Sequence, residues 1–144
     1  MDNFFESLNL KSISESELRR MSPIQLAYLG DVIYEFYIRN YALVVNKNRI
    51  KEVNKFVVNF VRASAQAHAV MNLKEFLSED EWGIVKWGRN QKTASSPKNA
   101  SISQYKYATG FETLIGYLYL KNEKDRLEVI ISEAIVLINN MEAQ

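Results

Sequence analysis

The sequence predicts an all-α bundle of about six or seven helices, and three observations carry that reading. Apolar residues recur at helical spacing along most of the 144 residues. Serines stand just ahead of several of these periodic stretches, where a helix N-cap belongs. Only five glycines and two prolines are present, too few for a turn-dense all-β protein. With 47% hydrophobic residues the chain is too apolar to be disordered, and a single domain over residues 1–144 is expected.

Ser14-Glu15-Ser16-Glu17 opens a short first helix with Leu18 and Met21 turned inward. Ser22-Pro23 is an N-cap followed by proline at the first helical position. The helix from Pro23 to about Val44 is apolar on nearly every side, which predicts cover from several directions. After a break at Asn46-Lys47-Asn48, the stretch from Arg49 to Arg62 repeats Val53, Phe56, Val57, Phe60 and Val61 at helical spacing. Ser64 is placed to cap the next helix, which runs through Ala65, Ala69, Leu73 and Phe76. Ser78-Glu79-Asp80-Glu81 has the capping-box pattern and opens a helix through Ile84, Val85 and Trp87. Gly88 to Ser101 reads as a loop, long enough to suggest a functional role. Ser103 to Lys121 is again apolar almost all round, and Asp125 to Met141 is a final amphipathic helix.

Composition excludes several chemistries. With no cysteine there is no disulfide, thiolate zinc site, iron–sulfur cluster or thiol nucleophile. A lone histidine, His68, excludes any site that needs two, and its helical context predicts a structural role. No uncharged apolar run approaches the length of a membrane span, and the acidic start Met1-Asp2-Asn3-Phe4-Phe5-Glu6 lacks the apolar core of a signal peptide. A soluble cytoplasmic protein is the expectation. Net charge is only +1, yet Trp82 to Phe111 contains no acid and carries Lys86, Arg89, Lys92, Lys98 and Lys106. A basic strip on a net acidic body fits a polyanion-binding surface, and equally a solvated loop.

Two acids stand in the most apolar stretches, Asp31 in the first long helix and Glu112 in the second. An unpaired buried carboxylate costs several kcal/mol, so each needs a partner. Gly30 precedes Asp31, while Gly110 and Gly116 flank Glu112. Glycine inside a helix costs about 1 kcal/mol relative to alanine and is tolerated where another helix must come close. Two helices crossing at small residues, each bringing one acid, would make a site for Mg²⁺ or Mn²⁺ with several waters. The alternative is an ion pair to Arg39, Arg62 or Lys106. The residues alone lead as far as a metal-assisted phosphate or phosphodiester site.

Leu26-Ala27-Tyr28-Leu29-Gly30-Asp31-Val32-Ile33-Tyr34-Glu35 resembles the signature helix of the ribonuclease III endonuclease domain. Thr109-Gly110-Phe111-Glu112-Thr113-Leu114-Ile115-Gly116 resembles that family's second acidic motif. Gly88-Arg89-Asn90-Gln91-Lys92 with Pro97-Lys98-Asn99 is similar to the loop of its Mini-ribonuclease III branch, which has no double-stranded RNA-binding domain. The resemblance covers roughly residues 14–141, and the three segments in this order are far more specific than the Gly-Asp pair alone. It departs from full-length ribonuclease III at Ala27 and Tyr28, where that family brings a glutamate, and at Thr109, where it brings an aspartate. The carboxylate set is thereby reduced to Asp31 and Glu112, which implies a water-rich cation.

The resemblance implies a ribonuclease III-like helical bundle that hydrolyses double-stranded RNA as a homodimer, leaving a 5′-phosphate and a 3′-hydroxyl. The implied cofactor is Mg²⁺, with Mn²⁺ as a substitute, held by Asp31 and Glu112. The implied substrate is precursor 23S ribosomal RNA. Thr109 and Glu35 are candidates for supporting the metal site, Thr109 either through a metal-bound water or by bonding back to its own helix. Arg89, Lys92 and Lys98 are candidates for phosphate contacts, since duplex RNA is read mainly through shape and backbone. The rival expectation is an inactive RNA- or ribosome-binding module of the same fold, against which the retention of both acids speaks.

Overall fold

The structure, a computed structural model, describes residues 1–92 and 101–142. Eight helices occur among them: α1 (Asp2–Ser7), α2 (Glu15–Arg19), α3 (Pro23–Val45), α4 (Ile50–Val61), α5 (Ala63–Asn72), α6 (Glu79–Arg89), α7 (Ile102–Leu120) and α8 (Lys124–Glu142). No strand occurs among the described residues.

Ser14, Ser22 and Ser78 open helices as the sequence predicts, Ser101 caps a helix where the sequence reading placed the end of a loop, and Ser64 caps none. Ser14, Ser22, Ser78 and Ser101 each accept from the backbone N–H three residues on. The side chains of Glu17, Gln25, Glu81 and Gln104 accept in return from the serine N–H, completing four capping boxes. Ser64 lies inside α5. Arg62, in an extended conformation at φ −64° and ψ 152°, ends α4 and starts α5 without a side-chain cap.

α7 lies at the centre. Phe111, Leu114, Ile115 and Leu118 are almost fully buried, and α3, α5, α6 and α8 all pack against this helix. Tyr34 of α3 meets Phe111 edge-on at 5.1 Å and donates its hydroxyl to the Phe60 carbonyl at 2.9 Å, tying α3, α4 and α7 together. Arg126 of α8 clamps α6 by two 2.8 Å bonds to Glu81 and a 3.2 Å bond to the Phe76 carbonyl.

Three expectations need correction. α1 is an additional helix; it buries no residue, so apolar periodicity could not announce it. α3 is not covered all round: Tyr28 is 83% exposed, and Val32 and Phe36 are each 63% exposed. The apolar pattern of α3 counts faces that nothing in this single chain covers. Finally, α6 continues through Gly88 and Arg89, which the sequence placed in the loop. Gly88 belongs in the helix because α7 lies so close that a Cβ there would strike the Thr113 hydroxyl.

Candidate active site

The site begins with the crossing of α3 and α7. A Cβ on Gly30 would collide with the Glu112 carbonyl, and one on Gly116 with the Leu26 carbonyl. Only glycine permits this approach, and it carries the next residue of α3, Asp31, up to Glu112. The two carboxyls come within hydrogen-bonding reach. They share an open cleft of about 410 Å³, lined also by Thr109, Tyr105, Ala27 and Tyr28.

The two acids are not equivalent. Asp31 is exposed at the rim, which corrects the expectation that both are buried. Glu112 is partly buried. Burial, with the Asp31 carboxyl beside it, pushes the Glu112 pKa up to about 9. The expected alternative partners do not appear: among the described residues no ion pair joins either acid to Arg39, Arg62 or Lys106. No cluster of three or more acids and histidines forms among the described residues.

A hard divalent cation fits this pair. Two acidic oxygen donors in an open cleft leave room for the waters Mg²⁺ retains, and a cation would offset the burial and the neighbouring Asp31 carboxyl that together hold Glu112 protonated. A third observation agrees. Gln66 of α5 lies beside Glu112 and favours its charged form, while its own Oε1 is buried with no partner among the described residues. The sequence reading missed Gln66. Its only signal is a long polar side chain within the small-residue run from Ala63 to Ala69.

The remaining candidates fall into two groups. Thr109 lines the cleft, but its hydroxyl donates to the Tyr105 carbonyl at 3.0 Å, leaving only acceptor capacity for a water. Glu35 borders a second groove with Asp31, where its carboxylate pairs with Arg39 at 2.6 Å. Arg89, the last residue of α6, lies beside the first turns of α7. Its guanidinium donates to the Tyr107 hydroxyl at 3.2 Å, lies 5.3 Å from the centre of that ring, and is steadied by Asn90. It lines a groove of about 360 Å³ with Lys106 and Ser103, which makes Lys106 a closer companion than the sequence suggested. Lys92 is exposed. Lys98, with the rest of the Pro97-Lys98-Asn99 motif, lies outside the described residues.

Comparison with known proteins agrees with this fold. Residues 24–123 match the model of the family described as Ribonuclease III domain. The chain is 44% identical over 128 residues to a protein named Mini-ribonuclease 3 from Clostridium tetani, covering 88% of this chain and 85% of that one. It is 40% identical to the Mini-ribonuclease 3 of a Thermoanaerobacter species, covering 96% of each. A crystal structure of a Fusobacterium nucleatum protein superposes with a TM-score of 0.74 at 34% identity, covering 83% of this chain and 95% of that one.

Proposed function

This chain belongs to the ribonuclease III family, and on that premise we propose that it is a metal-dependent endoribonuclease of double-stranded RNA. The observation that carries the reading is the meeting of Asp31 and Glu112 in one open cleft at a glycine crossing. In a pair of helices otherwise built for packing, nothing but a ligand accounts for two adjacent acids without a base.

Asp31 and Glu112 hold a divalent cation, Mg²⁺ or in its place Mn²⁺. When bound, that ion supplies Lewis acidity at the scissile phosphate and a more acidic water. The chain's own residues position the rest. Glu112 is fixed by α7, Asp31 remains open to solvent and substrate, and Thr109 offers an acceptor in the same cleft. Arg89 and Lys106, with Lys92 and Lys98 along the strip, take the phosphates of the duplex beyond the scissile bond. Hydrolysis adds water across the phosphorus–O3′ bond, leaving a 5′-phosphate and a 3′-hydroxyl. The substrate we assign is precursor 23S ribosomal RNA, matured in the cytoplasm.

The enzyme acts as a homodimer in this reading. The bare face of α3, with Tyr28, Val32 and Phe36, is apolar and continuous with the cleft, so a second copy would cover it. Incubating the protein with duplex RNA, with and without Mg²⁺, tests the activity. Defined fragments bearing 5′-phosphates are expected only with metal. Binding without cleavage would instead establish the inactive RNA-binding module.

A further inference from the structure

Gln66 is a buried polar side chain that packing does not explain. It is 3% exposed, and its neighbours Ala65, Ala67 and Ala69 are buried almost completely. Those alanines bring α5 close to α7, so the glutamine side chain is enclosed between helices. Its Nε2 donates to the Val61 carbonyl at 2.7 Å, an acceptor left open where α4 ends. The amide also lies beside the Glu112 carboxyl, where it favours the charged form. Its Oε1 has no partner among the described residues. A buried amide oxygen left unpaired costs about 1–3 kcal/mol. A brace for the α4–α5 junction needs only the N–H to Val61. Neither the position beside Glu112 nor the unpaired oxygen serves that purpose.

We propose that Gln66 is a positioning residue of the carboxylate site. One amide N–H is anchored on Val61, and the other holds the Glu112 carboxylate in place. The Oε1 offers an acceptor beside the carboxylates for a water that the cation carries. Hydrogen bonds of this kind orient a ligand and typically alter metal affinity by about 10- to 100-fold when removed. The inference rests on the reading of Asp31 and Glu112 as the cation's holders.

The test uses Mn²⁺ alone, without RNA, and reads binding to the purified protein from the paramagnetic resonance of the free ion. Thermal unfolding with Mn²⁺ or with chelator is recorded in parallel. Gln66→Met keeps the length and removes every polar group, and it should bind Mn²⁺ about tenfold more weakly while still folded. Gln66→Glu keeps an oxygen at the site and adds charge. It should be less stable than the parent in chelator, gain more from Mn²⁺ and bind the ion more tightly. A Gln66→Met protein that melts lower but binds Mn²⁺ like the parent would make Gln66 a mere brace and overturn the proposal. If Gln66→Met does not fold, Gln66→Glu decides: no extra Mn²⁺-dependent stabilisation overturns it. Asp31→Asn serves as the control. If that variant binds Mn²⁺ like the parent, the two-carboxylate reading itself fails; if only the Gln66 variants do, the failure belongs to Gln66 alone.

Discussion

Removing the charge of Glu112 should stabilise the metal-free protein. Glu112 has a native pKa of about 9 against an ordinary value of 4.5, so the native state keeps a proton that the unfolded state releases. That contribution is fully present below the unfolded pKa and is lost as pH rises toward 9. Across this window stability should fall by about 1.4 kcal/mol per pH unit. At neutral pH about 3 kcal/mol has gone, an upper bound because the cleft is open to water. Glu112→Gln keeps the volume, removes the titration and should recover up to that amount. For a chain of this size the gain corresponds to roughly 6–12 °C in melting temperature. The window is clean, since Glu81, held below its ordinary value by the Arg126 guanidinium, affects stability only in acid. The assay is thermal or urea unfolding in chelator from pH 5 to 9. The parent's stability should decline with pH while the variant stays comparatively flat, and added Mg²⁺ should raise the parent far more than the variant. A variant less stable than the parent at neutral pH in chelator would refute the reasoning and make Glu112 a structural acid.

Asp31→Asn should abolish cleavage yet change stability by no more than about 0.5 kcal/mol, because Asp31 is exposed; duplex-RNA cleavage and urea unfolding check both halves. Gly116→Ala drives a methyl group into the Leu26 carbonyl, so α3 and α7 must part. A loss of about 1–3 kcal/mol, with cleavage slowed on the order of a hundredfold, is expected from melts and single-turnover rates. Replacing Arg89 and Lys92 by Ala should lower the magnitude of the salt slope of RNA binding by roughly one per lost phosphate contact, measured across a salt series. Glu81→Gln weakens the Arg126 clamp between α6 and α8 and should cost about 1–2 kcal/mol in urea unfolding without changing metal affinity.

What the sequence made legible was mostly local. A serine followed three residues later by Glu or Gln specifies its own helix start, and four such boxes form. The glycines beside Asp31 and Glu112 announced a close crossing because no other residue fits there, and Gly30 and Gly116 prove to be that crossing. Long-range pairings were silent. Arg126 and Glu81 are 45 positions apart, and no spacing rule joins them. Gln66 was invisible for a related reason: its meaning comes from α7 beside it, not from its own helix. Lys106 was only one lysine of the basic strip until the fold placed it with Arg89 around one groove.

The misreading of α3 is informative in its own right. A helix apolar on all faces must bury them somewhere, but the pattern does not say whether its own chain supplies the cover. Here α7 and its neighbours take one side, while Tyr28, Val32 and Phe36 remain bare. Asp31 sits between Tyr28 and Phe36 along this helix, and Tyr28 and Val32 also line the cleft it shares with Glu112. In the proposed dimer, the surface that joins the two copies would therefore form one wall beside each carboxylate pair. Assembly and catalysis would then depend on the same few residues. Phe36→Lys should expose the consequence. It adds a charge to the bare face one turn beyond Asp31 without entering the core, so the chain should still fold. Sedimentation should show a monomer, and cleavage of duplex RNA should fall much further than Mn²⁺ binding does. A monomeric variant that cuts RNA at the parent's rate would separate the two and leave the α3 face without a catalytic role.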